Sequence, residues 1–237
     1  GQDIIVGITP ESANESVLLN TLGDVTFAVT NSAAQGDGSL AWAIAQTGLV
    51  GGVKPGVVPT EPVSKGASFA TSVRDPIKLS GEIEFTTPIV LDGTSRIDVR
   101  TGLVTTGRYV DIDGARVPVG DSGFRLAGGA DGSSIRGLAF SEFRLDTPAI
   151  ELVIEDNIFG VSSIGRTLGN SVGLSAVHAD NLTVSNNVFA ISRESGLSLG
   201  ENVTNASVTA NYVGTDSRGR NLSNAVGIEL DGAGAGN

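Results

Sequence analysis

The residues that could do chemistry are few and scattered. Asp111 and Asp113 flank Ile112, so on an extended strand both carboxylates leave the same face. Such a pair could hold calcium, or share general acid and base work on a glycosidic bond. The segment Val110–Asp113, followed by Gly114, also reads as a plain strand running into a turn. His178 is the only histidine, and no nucleophile or ligand set can be built around it, so it reads as a solvated turn residue. Asp216, in the Gly-flanked stretch 214–220, reads as closing its own turn. The chain has no Cys, which excludes disulfides and thiolate chemistry. No cofactor is required by these residues; calcium at Asp111 and Asp113 is the one left open.

Two rows of side chains come from a repeat. Residues 152–160 (LVIEDNIFG), 182–190 (LTVSNNVFA) and 206–214 (ASVTANYVG) align, and 133–140 (SSIRGLAF) is a degenerate earlier copy. Asn157, Asn187 and Asn211 then share one position, where stacked amides can bond to one another and to a bent backbone. A ligand role for this row is the competing reading. Phe159 and Phe189 share another position, with Phe140 before them and Val213 after. Stacking in a core is favoured there over an exposed row that grips sugar rings.

The elements that would position these rows are short strands. Taking Ile135, Ile154, Val184 and Val208 as equivalent, the repeat is irregular, shortest from Ile135 to Ile154 and longest from Ile154 to Val184. Coils of this size fit a parallel β-helix and are too uneven for a strict hexapeptide helix. A second register recurs at Gly173-Leu174, Gly196-Leu197 and Gly227-Ile228. The stretches from Asn157 to Gly173 and from Asn211 to Gly227 are equal in length, while that from Asn187 to Gly196 is much shorter. One loop per coil therefore changes length while the strands stay constant. With 33 Gly, 40% hydrophobic residues, only 5% aromatics and only 17% charged residues, the chain suits a narrow solenoid core.

The fold class expected is all-β: a right-handed parallel β-helix with a short N-terminal capping helix. Three segments follow: a strand and capping helix over 1–50, a Gly/Pro-rich surface loop over 51–76, and coils over 77–237. The helix is placed at Ser39 to Gln46, with Ser39 as its cap and Leu40, Trp42 and Ile44 forming the lid on the first coil.

Residues 211–216 (NYVGTD), followed by 227–232 (GIELDG), resemble the repeat of bacterial pectate-lyase-like β-helix surface proteins. Residues 27–32 (FAVTNS), with 36–40 (GDGSL), Ala43 and Ile44, are similar to the segment that opens many of them. The resemblance implies a secreted or surface location, bacterial origin and a strand-plus-helix cap. It says little about activity, because the same repeat serves adhesins, passengers and sugar-active enzymes. The five Asn-X-Ser/Thr sequons, at Asn14, Asn181, Asn202, Asn205 and Asn221, are then products of composition.

The formal charge is −11, from 15 Lys plus Arg against 26 Asp plus Glu. With no basic stripe along the sequence, nucleic-acid binding is not expected. No apolar run is long enough for a membrane-spanning helix. The chain has no Met, so either a leader has been removed or it is a piece of a longer protein. Three functions compete: an extracellular or cell-surface module with a structural, adhesive or assembly role; a polysaccharide lyase, glycoside hydrolase or epimerase with a groove along one face; and a tailspike-like fibre. A polysaccharide or cell-surface ligand fits the first two. The last repeat, ending in a small, flexible tail, is expected to continue in further coils or to self-associate through its uncapped end.

Overall fold

Strands of two to five residues with one or two inward side chains are stable only when neighbours continue their sheets. In a computed structural model of the chain, such strands wind as a parallel β-helix with three sheets around one core. The structure describes residues 4–6, 17–19, 25–49, 65–71, 73–97, 104–107, 109–142 and 144–237.

Each full coil visits sheets A, B and C in that order. Sheet A stacks Val25–Val29, Lys65–Ala70, Val90–Ile97, Ser134–Arg136, Val153–Glu155, Thr183–Ser185 and Ser207–Thr209 in parallel. It begins with two antiparallel strands, Ile4–Val6 and Val17–Leu19, and Val104–Thr106 pairs antiparallel with Val90–Ile97 at its side. Sheet B stacks Ile77–Lys78, Val110–Asp113, Leu138–Ser141, Ile158–Phe159, Val188–Phe189 and Tyr212–Val213. Sheet C stacks Ile83–Phe85, Phe124–Leu126, Leu145–Thr147, Leu174–Ala176, Ser195–Leu199 and Val226–Leu230.

The core is built from columns of like residues. Leu91, Ile135, Ile154 and Val184 line the inside of sheet A, and Phe124, Leu145, Leu174 and Leu197 that of sheet C; all are fully buried. In the last coil these columns end at Val208 and at Ile228. Its sheet C strand bonds on one side only, leaving Val226 44%, Ile228 46% and Leu230 64% exposed.

At the other end, the helix runs Leu40–Leu49, past the end expected at Gln46. Ser39 caps it, its hydroxyl accepting from the Trp42 amide at 3.2 Å. Leu40 and Ile44 are buried in the core, and Trp42 packs edge-on against Phe27 with ring centroids 6.1 Å apart.

One segment differs from its sequence reading. Within the stretch taken as a surface loop over 51–76, Lys65–Ala70 is a sheet A strand with Ala67, Phe69 and Ala70 buried. Its Gly, Ser and Ala hide the strand, but small residues fit where the capping helix crosses close by. Residues 51–64 lie outside the described residues. The next strand of that sheet, Val90–Ile97, bulges so that Ser68 pairs with Asp92 but Phe69 with Arg96. Asp92 holds the bulge by accepting from the Thr94 amide at 2.8 Å and the Thr94 hydroxyl at 2.6 Å.

Candidate functional site

The turn from sheet A to sheet B is one or two residues long in every coil from Ser134 onward, and it bends sharply. Gly137, Asp156, Asn186 and Ala210 sit at equivalent places with φ of +69°, +53°, +55° and +55°. Directly after this kink, Asn157, Asn187 and Asn211 stack. The Asn187 side chain donates to the Ile154 carbonyl at 2.8 Å and to Asn211 Oδ1 at 3.1 Å, and accepts from the Asn157 backbone amide at 3.0 Å. The Asn157 side chain donates to the Ile135 carbonyl at 2.9 Å and accepts from the Leu138 amide at 3.1 Å, where the row ends. Asn157 and Asn187 are fully enclosed. Their amides are satisfied inside the protein, as burial requires.

Phe140, Phe159 and Phe189 lie inside sheet B, buried, with centroids 4.9 and 4.8 Å apart and rings nearly parallel. Phe124 and Phe85 extend the contact edge-on across the core. His178 is exposed at φ +56°, on the connection from sheet C to sheet A.

The two candidate acids serve the loops around them. Asp111 accepts from the Ser163 amide at 2.6 Å and the Ser163 hydroxyl at 2.5 Å, tying down a loop from two coils further along. Asp113 accepts from the Ala115 amide at 2.9 Å in its own turn. Among the described residues, no three His, Asp or Glu side chains gather as a metal site.

The loop that Asp111 holds has a twin. Residues 160–170 (GVSSIGRTLGN) and 214–224 (GTDSRGRNLSN) share the pattern G-x-x-S-x-G-R-x-L-x-N. Each forms a small antiparallel arm, closed by Val161 with Thr167 and by Thr215 with Asn221. In each, the third residue of the pattern accepts from the arginine amide: Ser162 Oγ from Arg166 and Asp216 Oδ1 from Arg220, both at 3.0 Å. Arg220 Nε also reaches Asp216 at 2.7 Å, and with the Arg220 and Arg218 amides it holds that carboxyl below the usual carboxylate range. The intervening coil has only the short connection 190–194. Gly160 must remain Gly because a Cβ there would collide with the Ala190 carbonyl.

The arms fold over the outer face of sheet B, where Val161, Ala190 and Leu222 make a second apolar cluster, with Ile158, Val188 and Ile191 against it. Between the arms lies a groove of about 480 Å³, walled by Ser163 and Ile164 on one side and Arg218 and Arg220 on the other, with Ile158 and Val188 as floor. Tyr109 stands at its end, 38% exposed. Desolvation and the nearby Asp156 carboxylate push its phenol upward, so it is a protonated donor at neutral pH. A smaller cavity of about 230 Å³ lies on the same edge, lined by Glu142, Arg144, Asn170, Ser171, Arg193 and Asp121.

Coil stacking also gathers charges that lie far apart in the sequence. No basic stripe exists along the sequence, yet five successive B-to-C connections bring Arg116, Arg144, Arg166, Arg193 and the pair Arg218 and Arg220 to one edge. The two other arginines beyond residue 114 are ion-paired elsewhere: Arg125 to Glu84 on sheet C and Arg136 to Asp92 and Glu155 on sheet A. Strand periodicity carries no sign of the twin arms or of this edge. The G-x-x-S-x-G-R-x-L-x-N pattern, which starts at Gly160 and again at Gly214, is the sequence signal that marks the arms.

These features define a parallel β-helix whose A-to-B edge is sealed by amides and whose B-to-C edge carries arms, arginines and a groove. No family model, curated protein or solved structure matches the chain. No helix among the described residues is long and apolar enough to cross a membrane.

Proposed function

We propose that the chain is an extracellular or cell-surface β-helix module that binds a polysaccharide or cell-surface glycan along its B-to-C edge. The observation that carries this reading is the division of labour in the groove. Asp111 and Asp216 are committed to holding the arms, while the Tyr109 ring, the Ile158 and Val188 floor and the arginines line the open space between them. An apolar floor with a few polar and cationic groups suits sugar rings better than it suits a proton-transfer step. The likeness of residues 211–216 and 227–232 to bacterial pectate-lyase-like surface proteins supports a secreted, bacterial setting.

Calorimetric titration of acidic and neutral polysaccharides tests the reading. Binding that weakens about tenfold or more in Tyr109→Ala and Arg220→Ala, with unchanged folding, is the expected outcome. Failure of both variants to alter binding overturns the placement. The enzymatic alternative rests on the smaller cavity, where Glu142 and Asp121 share space with Arg144. Release of new reducing ends or unsaturated sugars, abolished by Glu142→Gln, would favour it. Association of copies through the last coil is a further part of the proposal, supported by the exposure of Val226, Ile228 and Leu230.

A further inference from the structure

The twin arms share a pattern but are held differently. Both fold back along sheet B, so each lies over the coils that precede it. The outward row of that sheet runs Asp111, Ala139, Ile158, Val188 and Tyr212, each paired with the next. The first arm leaves the coil of Ile158, and two coils earlier it meets Asp111, which accepts from the Ser163 amide and hydroxyl. The second arm leaves the coil of Tyr212, and two coils earlier the same place is taken by Ile158. Ser217 is the twin of Ser163, and an isoleucine side chain has nothing with which to accept from it. Ser163 is half-buried; Ser217 is exposed.

Within themselves the arms differ the other way. Asp216 accepts from the Arg218 and Arg220 amides, both at 3.0 Å, and from Arg220 Nε at 2.7 Å. In the first arm Ser162 stands in that position, and its hydroxyl accepts from the Arg166 amide alone. Among the described residues, every hydrogen bond and ion pair made by 215–221 stays inside the arm, 214–224. The base is fixed, since Leu222 is buried and its amide bonds the Gly214 carbonyl at 2.9 Å. Beyond that base the second arm is tied to itself, while the first is tied to the scaffold.

We infer that residues 215–221 form a gate that swings as one body about the Gly214–Leu222 base, while the first arm stands fixed as the opposite wall of the groove. A segment bonded within itself but not to its surroundings moves as a unit and does not unfold. In the structure the gate is shut. The Arg220 guanidinium comes to 4.0 Å from the place that a Cβ on Gly165 would take, so the arm tips meet above the Ile158 and Val188 floor. Swung outward, the gate uncovers that floor. Ile158 therefore has two effects: it makes the floor apolar, and it denies the second arm the latch that Asp111 gives the first. As an entrance for a glycan the gate rests on the reading above, but its motion needs no ligand.

Distances between paired spin labels, measured by pulsed electron resonance on the frozen ensemble, are the test. The chain has no Cys, so introduced cysteines alone carry the labels. One label, at Ser185→Cys on the outer face of sheet A, is the fixed reference. The other sits at Ile164→Cys or at Arg218→Cys, the fifth residue of each arm pattern. The distance distribution from Arg218→Cys is expected to be about twice as broad as that from Ile164→Cys, or broader. Adding Ile158→Asp supplies the missing acceptor and narrows the second arm to the width of the first. Adding Asp111→Ala removes the existing acceptor and broadens the first arm to match the second. Melting curves show which variants fold. Equal widths in the parent overturn the inference, as does a folded Ile158→Asp chain whose second arm stays broad. A first arm that stays narrow without Asp111 also overturns it, even if Ile158→Asp does not fold. No glycan is present in this assay, so its failure leaves the glycan reading standing, and polysaccharides that do not bind leave the gate standing.

Discussion

The A-to-B turn and the B-to-C connection carry the chain round the same coils, but they are built on opposite terms. The first never exceeds two residues in the coils from Ser134 onward and buries amides that bond only to protein. The second ranges from the short link over 142–144 to the long arm over 160–173, and it carries the arginines on its outside. A buried polar row works only if every member is present, so it fixes the length and identity of the turn. An exposed connection meets no such condition and is free to grow arms. Constancy therefore marks the scaffold, and variation at constant strand identity marks the surface that meets partners.

The sharpest break of this contrast is Asn187→Leu. It removes two acceptor contacts and two donated bonds at once and leaves the Asn157 amide and the Ile154 carbonyl without these partners. A loss of about 3 kcal/mol is expected from the denaturant midpoint, with the slope unchanged. A smaller loss, about 1 kcal/mol, is expected for Asp111→Ala, which frees Ser163 and its arm without touching the core. Limited proteolysis should then cut within residues 161–167 first. At the kink before the row, Ala210 is held at φ +55°, where a Cβ is strained. Ala210→Gly should raise stability by about 0.5 kcal/mol; a loss would show that the kink is not under strain.

The smallest effect is a pH dependence at the bulge. Burial pushes the Asp92 carboxyl up, but the Thr94 hydroxyl and amide and the Arg136 guanidinium outweigh it and hold the group below its ordinary value of 3.8. A lowered carboxylate contributes stability above the unfolded value, and that contribution disappears as pH falls through the folded one. Wild type should lose about 0.3 kcal/mol more than Asp92→Asn below pH about 4, and the two should run parallel above pH about 5.

Much of the scaffold was legible because its signals are local or strictly repeated. Ile154, Val184 and Val208 pair in the register read from the repeat, and Asn157, Asn187 and Asn211 are hydrogen-bonded in sequence order. Ser39 announced the helix through its side chain. The strand Lys65–Ala70 was hidden because Lys-Gly-Ala-Ser has no apolar alternation, and its place depends on the helix and sheet around it. The groove and the arginine-bearing edge depend on which residues stacking brings side by side. Arg116 and Arg218 are far apart in sequence yet share one edge, and nothing near either residue says so.

The contrast between scaffold and display surface is tested most directly by removing the arms. A chain in which residues 161–168 and 215–222 are each shortened to the length of the 190–194 connection should still melt in one cooperative step, since the ladder and the phenylalanine stack are intact, but lower by about 5–10 °C because Val161 and Leu222 no longer cover sheet B. In a glycan titration it should lose the binding that the parent shows. Retained binding, or collapse of the fold with the arms gone, would contradict the assignment of scaffold to one edge and recognition to the other.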